Sequence, residues 1–82
     1  MLVDIRIKNA CIRARALMNK GQLEQAQDTL NDAIRNNNAG LSPMSGELFS
    51  LCGDIYIAQS YLSGALGMYN LALLCYATEA AD

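Results

Sequence analysis

The chain has 82 residues, of which 52% are apolar and 17% are charged, and its net charge is −2. Its longest stretch without a polar side chain, around 71–75, is far shorter than the roughly 20 residues of a membrane-spanning helix. Asp4, Arg6 and Lys8 interrupt the early apolar stretch, so no secretion signal and no membrane span is expected, and we expect a cytoplasmic protein. Because the charged fraction is below the about 25% of an average soluble protein, a domain this small is predicted to carry more apolar surface than it can bury alone.

Three cysteines, Cys11, Cys52 and Cys75, lie within apolar helical patterns and lack the paired spacing of a disulfide framework. We therefore expect buried free thiols. The sequence has no histidine and no C-x-x-C pair, so we expect no metal and no cofactor. It also has no phosphate-cradling glycine loop and no carboxylate pair placed across a cleft, so we do not expect an enzyme.

The charges are unevenly distributed along the chain. All six basic residues lie in the first half, whereas all five aromatic residues lie in the second, among the acidic side chains of Glu47, Asp54, Glu79 and Asp82. A nucleic-acid interface needs a dense basic stripe with aromatics beside it. This segregation predicts no nucleic-acid partner.

Two helices are predicted in the first half of the chain. The first covers about 4–20, with Asp4 as its N-cap, and its apolar positions are Ile5, Cys11, Ile12, Ala14, Leu17 and Met18. Gly21 supplies the left-handed residue that ends a helix. The second helix follows over about 22–36, with an apolar face of Leu23, Ala26, Leu30, Ala33 and Ile34.

Two more helices are predicted after a loop at 36–44, whose asparagines and Pro43 disfavour helix. The third covers about 45–59 with Ser45 as its cap, and the fourth covers about 61–78 after a turn near Ser60. The expected fold class is all-α, with four antiparallel helices in one domain over 1–82.

A repeat pattern organises these helices. Bulky and small residues recur at the offsets of a unit of about 34 residues that resembles the tetratricopeptide repeat (TPR), namely Phe49, Gly53, Tyr56, Ala65, Tyr69 and Ala72. Gly53 and Ala65 are small where two helices approach closely, and the aromatic residues fill the space beside them. The first half of the chain holds a degenerate copy of this unit. Its residues Ala14, Leu17, Gly21, Ala26, Leu30 and Ala33 lie 39 positions before Gly53, Tyr56, Ser60, Ala65, Tyr69 and Ala72, respectively. We therefore predict two degenerate TPR-like hairpins, with repeat 1 at about 7–38 and repeat 2 at about 46–78.

The fourth predicted helix has apolar residues on every side, and Asn70 is its one strongly polar residue between 65 and 77. Such a helix is normally buried all round. Helix three can cover only one of its faces, and a helical solenoid needs a polar outer surface at its ends. We expect four side chains to lack a partner within the chain: Leu66, Leu73, Leu74 and Tyr76.

A more specific resemblance rests on short strings, namely Ile12-Arg13, 17–21 (LMNKG), Gln25-Ala26, 47–49 (ELF) and Leu51-Cys52. Over roughly residues 10–76 the chain resembles the TPR-like chaperones of the type III secretion needle subunit, of the YscG, PscG and EscG type. The resemblance implies a cytoplasmic heterotrimer with a small helical co-chaperone of the YscE, PscE and EscE type. It also implies that the amphipathic C-terminal helix of the needle subunit lies in a concave apolar groove, which prevents early polymerisation.

The groove of a TPR pair is lined by the first helix of each repeat. Transferred position by position, the client-helix groove would comprise Cys11, Arg15, Met18, Asn19, Ser50, Asp54, Ile57 and Ala58, with Lys8 and Glu47 beside them. Met18 suits an adaptable groove but equally suits an ordinary core. Arg15 and Asp54 suit client charges but equally suit an exposed helix face.

The alternative to a chaperone is a generic TPR adaptor or scaffold module. Such a module would bind a peptide or dimerise through its last helix. Solubility of the isolated chain discriminates between the two, because a chaperone subunit with an uncovered apolar face is expected to self-associate until its partners are present.

Overall fold

A computed structural model describes residues 2–36 and 43–80, with side chains described at 5–36 and 45–77. These residues form α1 (Leu2–Asn19), α2 (Leu23–Asn36), α3 (Pro43–Ala58) and α4 (Leu62–Ala80). The predicted all-α fold of four helices in two hairpins is confirmed. Most of the predicted loop at 36–44 lies outside the described residues.

Helix α3 is the centre of the packing. It pairs with α4 in the second hairpin and also contacts both helices of the first hairpin, whereas α4 contacts α3 alone among the described helices. One face of α4 therefore meets no described helix.

Two helix starts differ from the predictions. Helix α3 begins at Pro43, whose fixed φ and missing N–H suit the first position of a helix. Ser45 therefore lies within the first turn and is 1% exposed, so its prediction as the N-cap was wrong. Helix α1 already begins at Leu2, so Asp4 lies inside the helix rather than at its start.

The two hairpins repeat the same backbone turn. Gly21 has a φ of 78° and Ser60, its counterpart 39 residues later, has a φ of 62°. Each turn carries the two hydrogen bonds of a Schellman motif, which satisfy carbonyls at the end of the preceding helix. In each turn one of these bonds spans five residues. Gln22 N donates to Leu17 O at 2.9 Å in the first turn, and Tyr61 N donates to Tyr56 O at 2.8 Å in the second.

The buried face of α1 differs from the predicted one. Ile7, Ala10, Cys11 and Ala14 follow the i, i+3, i+4, i+7 spacing of one helix face, and none is more than 9% exposed. Ile5 and Ile12 lie on the opposite side and are 55% and 57% exposed, so their assignment to the apolar core was wrong. The largest side chains with less than 2% exposure are Leu30, Leu48 and Ile55.

Glycines of α3 face tyrosines of α4 across the second hairpin. A Cβ at Gly53 would lie 2.5 Å from the Tyr69 ring, and a Cβ at Gly46 would lie 2.7 Å from the Tyr76 ring. Gly53 follows Gly46 by seven residues, whereas the facing Tyr69 precedes Tyr76 by seven, so the two helices run antiparallel. The close approach predicted at Gly53 is confirmed, and the tyrosine rings lie directly against helix backbone there.

Gly53→Ala is expected to lower the free energy of unfolding by about 1–3 kcal/mol, because the Tyr69 ring must move aside. The matched control is Gly67→Ala in α4, where nothing lies within 4 Å of the added Cβ. That change should raise stability by about 0.5–1 kcal/mol through helix propensity alone. Urea unfolding followed by circular dichroism measures both. Equal effects of the two substitutions would contradict the glycine–tyrosine contact.

Candidate partner-binding surface

The predicted groove residues lie along α1 and α3, and most of them reach the surface. Arg15, Asn19, Asp54, Ile57 and Ala58 are exposed, and Met18 and Ser50 are half-buried. Cys11 is the exception, because its side chain is 1% exposed and packs in the core. Its assignment to a groove surface was therefore wrong.

The charges of this groove are engaged within the chain. Arg15 of α1 forms an ion pair with Glu47 of α3 at 2.5 Å, and the Tyr69 hydroxyl donates a 2.5 Å hydrogen bond to Asp54 Oδ1. Both interactions are solvent-exposed, and such an ion pair contributes at most about 1 kcal/mol. The groove is thus mainly polar, with Ile57, 50% exposed, as its large exposed apolar side chain.

The exposed apolar surface lies instead on α4. Leu62, Leu66 and Leu73 are 64%, 64% and 66% exposed and fall at i, i+4 and i+11, so they share one side of the helix. Ile57, at the end of α3, is exposed too. These four residues, Ile57, Leu62, Leu66 and Leu73, are called the C-face below.

The predicted partner face on α4 is only partly the observed one. Leu66, Leu73 and Leu74 are exposed, the last at 51%. Tyr76 is 44% exposed, but its ring lies against Gly46, so the expectation that it lacks a partner within the chain was wrong. Leu62 was not among the predicted partner-face residues, although the 39-residue offset makes it equivalent to the apolar Leu23 of the first repeat.

The C-face is large for so small a chain. Full burial of a leucine side chain contributes about 1.5–3 kcal/mol, and each leucine of the C-face is about two-thirds exposed. Covering all three would contribute roughly 3–6 kcal/mol before ordering costs are subtracted. A surface of this kind marks an interaction site more often than a solvated face.

The three cysteines are free and buried, as predicted. Burial raises the pKa of the Cys52 thiol to about 11, and burial together with the nearby Glu47 carboxylate raises the pKa of the Cys11 thiol to about 11. A hydrogen bond to Asp54 raises the pKa of Tyr69 to about 12. Thiols that resist ionisation are poor nucleophiles, so Cys11 and Cys52 serve packing rather than chemistry.

These pKa values predict a loss of stability at alkaline pH. The folded state holds the two thiol protons more tightly than the unfolded state, where the thiol pKa is about 9. Their contribution is complete below pH 9 and is lost as the pH rises to about 11, and that of Tyr69 is lost between about 10 and 12. The urea midpoint should hold up to pH 9 and then fall. A midpoint that stays constant to pH 11 would contradict the burial of these thiols.

The described residues include no group of three metal-ligating side chains, and no helix among them has the length and hydropathy to cross a bilayer. A cleft of about 430 Å³ lies between α1 and α2 at the other end of the stack. Its lining is largely polar and includes Arg6, Asn9, Arg13, Thr29, Asp32 and Asn36. The two ends of the stack therefore differ, one being polar and the other apolar.

Comparison of the chain with protein-family models, with curated proteins and with solved structures gave no match. The function is therefore inferred from the geometry of the chain itself, a two-hairpin helical stack with an apolar C-face at one end.

Proposed function

We propose that the chain is the TPR-like chaperone subunit of a type III secretion needle protein and acts in the bacterial cytoplasm. With a small helical co-chaperone it would hold the amphipathic C-terminal helix of the needle subunit and prevent premature polymerisation. The observation that carries this proposal is the C-face, an apolar surface on a helix that packs against α3 alone among the described helices.

The mechanism follows from this surface. A subunit that polymerises through an apolar helix is kept monomeric when another protein covers that helix. The resemblance places the client helix in the concave groove. The distribution of exposed side chains favours the C-face instead, because the groove is mainly polar and its Arg15 and Asp54 already have partners within the chain. Ile57 lies at the border of the two surfaces and would contact a helix on either.

Co-expression with the needle subunit and co-chaperone of the same secretion system tests this function. We expect a 1:1:1 complex by native mass spectrometry, and we expect it to be lost when the C-terminal helix of the needle subunit is deleted. Light scattering should show that an equimolar amount of the chain with its co-chaperone prevents needle fibres from forming. A chain that is monodisperse alone and leaves fibre formation unchanged would overturn the proposal.

The adaptor alternative has one observation in its favour, the polar character of the groove, which suits an extended peptide with charged side chains. It predicts binding that depends on Arg15 and does not depend on Leu66 and Leu73. Substitutions on the two surfaces therefore separate the two functions.

A further inference from the structure

The internal repeat shows what covers the equivalent of the C-face in the first hairpin. Each C-face residue has a counterpart 39 positions earlier, and the pairs are Ile57 with Met18, Leu62 with Leu23, Leu66 with Gln27, and Leu73 with Ile34. Met18, Leu23 and Ile34 are half-buried and pack against the core. Gln27 accepts a 3.2 Å hydrogen bond from Gln59, just beyond the end of α3. Helix α3 lies across α1 and α2 at this junction.

We propose that the C-face receives one helix of a partner protein in the pose that α3 takes on the first hairpin. This inference rests on the proposed function in one respect only, that the chain binds a partner helix. It does not depend on that helix coming from a needle subunit.

Helix α3 specifies the apolar side of the partner helix. Leu48, Leu51 and Ile55, at i, i+3 and i+7, are 0%, 5% and 0% exposed and form the face of α3 that belongs to the core shared with the first hairpin. A partner helix in the same pose carries apolar residues at the same three positions. It contacts both α3 and α4, as α3 contacts both α1 and α2.

The charges specify one more position. At the junction between the hairpins Arg15 pairs with Glu47, which directly precedes Leu48. The counterpart of Arg15 in the second hairpin is Asp54, which has the opposite charge and is exposed. Its Oδ1 accepts the Tyr69 hydroxyl, and a carboxylate has further acceptor capacity. The partner helix therefore carries a lysine or arginine directly before its first apolar position.

A second copy of the chain fits this surface less well. In a head-to-tail assembly the end with the polar cleft would meet the C-face, which would place Arg6, Arg13 and Asp32 against leucines. Burying such charges without partners is costly.

A designed peptide tests the inference with the full chain. The peptide is a 16-residue helix of alanine, glutamine and glutamate with leucine or isoleucine at the positions of Leu48, Leu51 and Ile55 in α3, and lysine at that of Glu47. The matched control peptide carries glutamate in place of the lysine. Binding of the labelled peptides is followed by fluorescence anisotropy.

We expect the lysine peptide to bind about threefold more tightly than the glutamate peptide, the effect of one exposed ion pair. Asp54→Arg should reverse that preference, since it recreates the charges of the Arg15–Glu47 pair. Leu66→Asp should weaken both peptides at least tenfold, whereas Asn31→Asp, on the exposed surface of α2, should not.

Three results would overturn the inference. They are binding without preference between the peptides, binding that survives Leu66→Asp, and a chain that forms a dimer lost on Leu66→Asp and binds neither peptide. The last result would assign the C-face to a second copy. Failure of the needle proposal is distinguishable, because it would leave the peptide results unchanged while the needle subunit fails to bind.

Discussion

Leu73→Asp is expected to weaken assembly with the partner proteins at least 100-fold. Leu73 is 66% exposed in the chain alone, whereas its counterpart Ile34 is half-buried and packs against the core. If a partner helix covers Leu73 in the same way, an aspartate there is a buried charge without a partner, which costs several kcal/mol. Each 1.4 kcal/mol corresponds to a factor of ten in affinity. Titration calorimetry of the purified variant with its partners measures the loss.

The matched control is Gly67→Asp, which adds the same charge on another side of α4, at an exposed position where an added Cβ meets nothing within 4 Å. We expect it to change the affinity less than threefold. Neither variant should change the helicity of the isolated chain, because both positions are exposed there. Equal affinities of the two variants would mean that Leu73 is not part of the interface.

Ile55→Ala is expected to lower the free energy of unfolding by about 2–5 kcal/mol. Ile55 is 0% exposed and belongs to α3, the helix that contacts all three others. Removing a buried isoleucine loses its transfer free energy and leaves a cavity. A domain of this size has a stability of only about 4–12 kcal/mol, so the variant should be partly unfolded at 37 °C. Urea unfolding followed by circular dichroism gives the difference.

Ile57→Ala, two residues further along the same helix, is the control. Its side chain is 50% exposed, and we expect it to cost less than about 1 kcal/mol in the isolated chain. A similar loss of stability in both variants would contradict the packing of α3 with Ile55 in the core and Ile57 at the surface. In the complex we expect Ile57→Ala to weaken partner binding more than Ile55→Ala does, because Ile57 belongs to the C-face.

The helix pattern and the repeat were readable from the sequence because both depend on local spacing. The 39-residue offset places Gly21 on Ser60, and the structure shows the same left-handed turn at both positions. It also pairs Ala14 with Gly53 and Ala26 with Ala65, and all four are buried. Close helix contacts require small residues, so the spacing of these small residues is visible in the sequence alone.

The side of each helix that faces the core was harder to predict. Ile5 and Ile12 lie seven residues apart, and their hydrophobicity alone suggested a buried face, yet α2 and α3 pack on the side marked by Ile7 and Ala14. Tyr76 resembled an uncovered residue because the fourth helix is apolar all round, and only the structure shows its ring against Gly46. Such outcomes depend on how neighbouring helices are rotated, which periodicity does not specify.

The groove prediction transferred positions from a pattern and not from contacts. It correctly placed Asp54, Ile57 and Ala58 on the surface, but it also included Cys11, which the cysteine pattern predicts to be buried and which lies in the core. The Arg15–Glu47 pair and the Tyr69–Asp54 hydrogen bond join residues far apart in sequence. The polar character of the groove therefore became apparent only once the helices were placed together.

Amide hydrogen exchange of the isolated chain and of its complex is the most direct test of the C-face as an uncovered surface that a partner helix completes. We predict that α4, one face of which meets no described helix, exchanges faster in the isolated chain than in the complex. In the complex its protection should rise by at least tenfold, while that of α2 rises less. An α4 that is as well protected alone as in the complex would contradict the account.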